Sequence, residues 1–76
     1  MPQLLFFGPL ADITRCKKTK ITGVKSTKEL MDCLYNDFPE LLQRKFKIAV
    51  NEKLVNQNTK LSESDVVALL PPFAGG

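Results

Sequence analysis

The stretch Ser26-Thr27-Lys28-Glu29-Leu30-Met31-Asp32-Cys33-Leu34-Tyr35-Asn36-Asp37-Phe38, closed by Pro39, decides how the rest of the chain is read. Ser26 and Glu29 have capping-box spacing: the Ser26 hydroxyl accepts from the backbone N–H of Glu29, and the Glu29 side chain reaches back. Behind them Leu30, Leu34 and Phe38 recur at every fourth position, with Met31 and Tyr35 alongside. That is one apolar stripe on one helix. Pro39 ends it, because the residue before a proline is driven out of the helical region. Pro39-Glu40-Leu41-Leu42 then starts a second short helix, with proline in the first turn where its missing N–H is harmless. Cys33, next to the stripe, reads as a small core residue. Asp32 and Asp37 read as solvent-facing.

Strands are expected on both sides of this helix. Upstream, Leu4-Leu5-Phe6-Phe7 is a short apolar run closed by Gly8-Pro9, which reads as a strand and a turn. Thr14 to Thr22 is polar and basic, and pairs with the first strand as a hairpin that Gly23 ends. Downstream, Phe46-Lys47-Ile48-Ala49-Val50 alternates as a strand does, Asn51-Glu52 turns, and Lys53-Leu54-Val55 returns. Leu61 precedes a polar turn, Ser62-Glu63-Ser64-Asp65. Val66-Val67-Ala68-Leu69-Leu70 is a continuous apolar run suited to the middle of a sheet, and Pro71-Pro72 stops it. The expected order is β-β-α-β-β-β with one main helix, the first and last strands lying centrally. A lone amphipathic helix covers one face of such a sheet. The fold class is α+β, a mixed sheet of four to five strands grasping one helix. The domain covers residues 1–70 and the tail 71–76.

The chain has 76 residues, no His, no Trp and two Cys. Without His there is no Ser-His or Cys-His nucleophile pair and no His-ligated metal. Cys16 and Cys33 alone make neither a four-ligand zinc site nor a disulfide framework. A chain this short buries only roughly 60% of its unfolded surface, which leaves little room for a substrate cavity beside a core. No metal is therefore expected, and no solitary catalysis. Apolar residues are 43% and charged residues 25%, ordinary for a globular domain. No apolar run approaches the roughly 20 residues that span a bilayer, and the first residues lack a signal peptide's basic and long apolar regions. These features fit a cytoplasmic protein without a membrane partner. The net charge of +3 comes from nine lysines and two arginines against eight acids. Without arginine clusters among exposed aromatics, nucleic acid is not expected as a partner.

The last six residues, Pro71-Pro72-Phe73-Ala74-Gly75-Gly76, carry the chemistry. Two prolines stiffen the exit from the sheet, and six extended residues reach roughly 20 Å. Glycines lack Cβ and so thread a narrow channel. The Gly76 carboxylate is ionised at neutral pH and a poor electrophile. It reacts only once another enzyme gives it a leaving group, as in an acyl-adenylate.

Leu4-Leu5-Phe6-Phe7, Ala49-Val50-Asn51 and Ser64-Asp65-Val66-Val67, taken with this Pro-Pro-x-x-Gly-Gly end, resemble the small-subunit family of molybdopterin synthase. That family is one of the ubiquitin-like β-grasp sulfur carriers. The resemblance implies that an E1-like enzyme adenylates Gly76 with ATP and that a sulfur donor converts it to a thiocarboxylate. The tail then enters the large synthase subunit, in a 2+2 heterotetramer, and sulfur passes to cyclic pyranopterin monophosphate. Two such transfers build the dithiolene of molybdopterin. No cofactor is held by this chain, and the acid–base residues belong to the large subunit. By position Gly76 holds the sulfur, while Gly75 and Ala74 keep the tail narrow. Ser64 departs from the family, which commonly has Gly there, and puts that turn in doubt if it needs positive φ. Competing readings are a carrier for thiazole synthesis, a ubiquitin-like protein modifier, and a plain binding module.

Strand alternation supplies an interface independently. If Phe6, Val55 and Leu69 face the helix, Phe7, Leu54 and Leu70 face the other way. Three large apolar residues on a sheet face the helix does not cover mark a docking surface, unless a loop or the second short helix covers them. Phe73, at the neck of the tail, is a further anchor. The resemblance implies that this face docks on both the large subunit and the activating enzyme. Arg15-Cys16-Lys17-Lys18-Thr19-Lys20 reads as a solvated hairpin.

Overall fold

The computed structural model describes residues 2–72. Met1 and the tail residues Phe73, Ala74, Gly75 and Gly76 lie outside the described residues. Five strands form one mixed sheet: β1 Gln3–Phe6, β2 Lys18–Lys20, β3 Lys47–Val50, β4 Lys53–Val55 and β5 Val66–Leu70. Their spatial order is β2-β1-β5-β3-β4, with β1 and β5 parallel and the other neighbours antiparallel. The two most apolar strands thus pair with each other inside the sheet, as their composition requires. Helix α2, Thr27–Asp37, covers one face, and a 3-10 helix over Pro39–Gln43 packs beside it. This is the expected α+β β-grasp arrangement.

The start of α2 is capped more fully than the capping box alone provides. The Ser26 hydroxyl accepts from Glu29 N–H at 3.3 Å. The next two amides are taken by the loop after β4: Lys28 N–H donates to Asn58 Oδ1 at 3.0 Å and Thr27 N–H to the Thr59 carbonyl at 2.8 Å. In return Thr59 N–H donates to Thr27 Oγ1 at 2.9 Å. The otherwise orphaned donors of a helix start are therefore used to anchor a distant loop.

Leu30, Met31 and Leu34 are buried, with Tyr35 and Phe38 packed at the border of the core. From the sheet come Leu4, Phe6, Val50, Val67 and Leu69; Leu10 and Leu41 close the ends. Burying each of these large side chains contributes about 1.5–3 kcal/mol.

Three expectations change. Gly8-Pro9 is the start of a helix, α1 Pro9–Thr14, so β1 and β2 pair antiparallel across a helical connection and not as a tight hairpin. Pro9 supplies the first helical position and Leu10 is buried, which holds so short a helix by packing. Cys33 is exposed. It lies three residues after Leu30, but the stripe is centred between Leu30 and Met31 and runs on through Leu34, so Cys33 falls toward the polar side. The turn at Ser64 needs no glycine: among the described residues positive φ outside glycine occurs at Arg15, Asn51 and Glu52. Asp32 and Asp37 are exposed as expected, and so is the segment Arg15–Lys20 except half-buried Cys16.

Candidate functional site

The sheet's second face carries the candidate site. Cross-strand register fixes which side chains share it. Leu5 stands opposite Ala68, Ala68 opposite Ala49, and Ala49 opposite Leu54, so one row crosses four strands. Leu70 lies one step along on the same side, and Phe7 follows β1 with its N–H donating to the Leu69 carbonyl at 3.1 Å. The row is small in the middle and large at its ends. Two alanines flanked by Leu5, Phe7, Leu54 and Leu70 make a dish, an open concavity of about 660 Å³. Phe7 is 44% exposed directly after buried Phe6, and Leu54 is 55% exposed beside half-buried Val55. No described helix covers this face. The three residues singled out by alternation, Phe7, Leu54 and Leu70, all line the one dish. Leu5, Ala49 and Ala68 were not singled out, although they share the parity of those residues and the same rule would have found them.

One end of the dish is braced by a hydrogen-bonded turn. Asn51 and Glu52 both adopt positive φ, 51° and 69°, the conformation of a two-residue hairpin of the primed type. Asn51 tolerates it; Glu52 is held there by its surroundings. The Asn51 side chain donates to Asp65 Oδ1 at 2.9 Å and accepts from Val66 N–H at 3.0 Å. Asp65 Oδ2 accepts from Ser62 N–H at 2.8 Å. These bonds, Ser62 N–H first and the Asn51 amide second, hold the Asp65 carboxyl below the usual aspartate range. The network ties the β3–β4 turn to the start of β5 and fixes the floor of the dish.

The other end leads to the tail. Gly8 has φ +58°, and a Cβ placed there would sit 3.0 Å from Pro71 Cγ. The ring of Pro71 therefore packs directly on the backbone that joins β1 to α1. That contact roots the tail beside Phe7 and Leu70, so the apolar dish and the exit of the tail form one continuous surface. Sequence reading does not find it, because Gly8 and Pro71 lie 63 positions apart. Gly76, Gly75, Ala74 and Phe73 are the chemistry-bearing expectations, and they lie outside the described residues. Among the described residues no group of His, Cys, Asp and Glu could hold a metal, and no helix is long and apolar enough to cross a membrane.

Comparison with known proteins finds likenesses that run over nearly the whole chain. Residues 4–76 match the profile of the ThiS family. A solved complex of subunits 1 and 2 of molybdopterin-converting factor from Helicobacter pylori 26695 contains a chain 35% identical to this one. The match covers 99% of this chain and 97% of that one, with a TM-score of 0.73. SAMP1 from Haloferax volcanii matches at 18% identity over 99% of this chain and 98% of that one, also with a TM-score of 0.73. At that identity it speaks for the fold alone.

Proposed function

The chain belongs to the ThiS family, and from that membership we propose that it is a sulfur carrier acting as the small subunit of molybdopterin synthase. The observation that carries this reading is the likeness to the molybdopterin-converting factor complex over nearly the whole of both chains. The Gly75-Gly76 end and the apolar dish beside the root of the tail add to it.

The chemistry divides between this chain and its partners. A carboxylate oxygen of Gly76 attacks the α-phosphate of ATP in an E1-like enzyme, pyrophosphate leaves, and an acyl-adenylate forms. Sulfide-level sulfur from a donor then displaces AMP and leaves a thiocarboxylate. The dish formed by Phe7, Leu54 and Leu70 seats the body on the large subunit, with Phe73 as an anchor at the neck. Ala74 and Gly75 keep the tail narrow inside that subunit's active site. The thiocarboxylate sulfur bonds to a carbon of the pterin substrate as a C–O bond at that carbon breaks and its oxygen substituent departs. Water then cleaves the acyl–sulfur bond, leaving the sulfur on the pterin and restoring the Gly76 carboxylate. Two such cycles complete a dithiolene. This chain binds no cofactor in this scheme, and the complex is a 2+2 heterotetramer working in the cytoplasm.

Incubating the protein with an E1-like enzyme, ATP and a sulfur source should raise its intact mass by about 16 Da, the exchange of one carboxylate oxygen for sulfur in a group carrier. Removing Gly75-Gly76 should abolish that shift. An unchanged mass with every such enzyme would sink the reading. The alternative that the sequence leaves open is a carrier for thiazole synthesis, which the family match does not separate from the first reading. Offering the thiocarboxylate to each pathway's acceptor enzyme separates the two.

A further inference from the structure

A second concavity, of about 890 Å³, lies between α2 and the β3–β4 hairpin. Its apolar lining comes from Met31, Ile48 and Val55, and the rings of Tyr35 and Phe46 meet there at 6.5 Å. The charged residues lining it are Lys28, Arg44, Lys45 and Lys47, with no carboxylate among the lining residues. Lys28, Arg44 and Lys45 are exposed and stand at the rim, whereas half-buried Lys47 lies opposite Leu70 and shares the parity of the sheet's other face. Three cations thus edge one groove in a chain of net charge +3. Along one side runs β4, the outermost strand of the sheet, whose far edge has no strand partner among the described residues.

We propose that this groove docks an extended acidic segment of a partner protein, laid beside β4. A strand presents alternate side chains to opposite sides. A segment alternating apolar and acidic residues therefore seats its apolar side chains on Met31, Ile48 and Val55 and turns its carboxylates to Lys28, Arg44 and Lys45. The backbone groups on the edge of β4 accept the segment as sheet edges accept added strands. Charge complementarity selects the occupant: a neutral strand gains from the edge alone, whereas an acidic one also answers the unbalanced rim. The groove requires no tail chemistry, and it shares one lining residue, Leu54, with the apolar dish.

The test uses the full chain and a displayed library of random peptides of about eight residues, enough for one strand. Selection should enrich Glu and Asp alternating with aliphatic residues. Binding of a selected peptide should move the backbone amide resonances of Lys47, Ile48 and Val55–Asn58 and leave those of Leu5 and Ala68 in place. The paired charge reversal Arg44→Glu with Lys45→Glu should weaken binding at least about tenfold, and added salt should weaken it further in the parent protein. Both sites are exposed, so the variant should keep the parent's resonances elsewhere. Arg44→Gln with Lys45→Gln should give an intermediate loss. Four results would overturn the proposal. These are selection without acidic enrichment, resonance changes confined to the apolar dish, and preferential binding of a single-stranded oligonucleotide. The fourth is an occupant from the chain itself, seen as a concentration-dependent dimer that Arg44→Glu dissolves or as groove resonances that shift when residues 73–76 are removed.

Discussion

The two faces of the sheet are built from the same strands and nearly the same residue types, yet they do different work. On the inner face Leu4, Phe6, Val67 and Leu69 are at most 3% exposed. On the outer face Phe7 and Leu54 are open to solvent, and each lies on or beside a strand that also feeds the core. Hydropathy does not separate them; parity does. Leu69 and Leu70 are chemically identical and adjacent, and one residue of register sends the first inward and the second outward. A core position is covered by a helix of its own chain. An outer position of equal apolarity has no such cover among the described residues, which is the pattern that docking surfaces show.

The contrast can be broken most severely at Leu69. Leu69→Ala should destabilise the protein by about 2–5 kcal/mol, measured by denaturant unfolding, because it leaves a cavity in the close-packed core. A loss no larger than that of an outer-face variant would mean the faces are assigned backwards. Gly8→Ala should cost about 1–3 kcal/mol, since it places a side chain at positive φ and drives a Cβ against Pro71. It should also slow acyl-adenylate formation at Gly76 by the activating enzyme, because the root of the tail is displaced. A variant of full stability and full adenylation rate would remove the Pro71 contact from the account. Leu70→Asp should change stability by under about 1 kcal/mol, while weakening capture by the large synthase subunit at least about tenfold in a titration. A large loss of stability with unchanged capture would reverse the reading.

The smallest effect is confined to acid. Asp65 has a lowered folded pKa, so its contribution to stability is complete above the unfolded aspartate value of about 3.9. It is lost as pH falls through the lower folded value. Asp65→Asn should therefore flatten the acid limb of an unfolding-versus-pH curve. An acid limb as steep as the parent's would place that sensitivity on another carboxylate.

Most of this division was legible in the sequence, because it rests on local periodicity. The stripe from Leu30 to Phe38, the proline stop, the Asn51-Glu52 turn and the run Val66–Leu70 each announce themselves within a dozen residues. The outward set Phe7, Leu54 and Leu70 followed from alternation. What escaped lacked a period or a neighbour. Helix α1 has six residues, too few for a 3.6-residue repeat to show, and its proline punctuates a turn and starts a helix equally well. Cys33 was misplaced because spacing from one stripe residue does not fix which side of the stripe a position takes. The Gly8–Pro71 contact and the loop that caps α2 through Asn58 are long-range, and nothing near either residue signals its partner.

The pairing of β5 with β1 and β3 also sets the order in which the protein becomes usable. During synthesis β1 through β4 leave the ribosome first, but β1 has no parallel neighbour until β5 follows. Without β5 the only pairings left to these strands are two separate ribbons, β1–β2 and β3–β4, because β5 lies between them. The segment that closes the sheet is the same one that leads through Pro71 to the carboxylate. A chain interrupted before β5 therefore lacks both the middle of the outer face, which Ala68 and Leu70 supply, and the residues that follow Pro71.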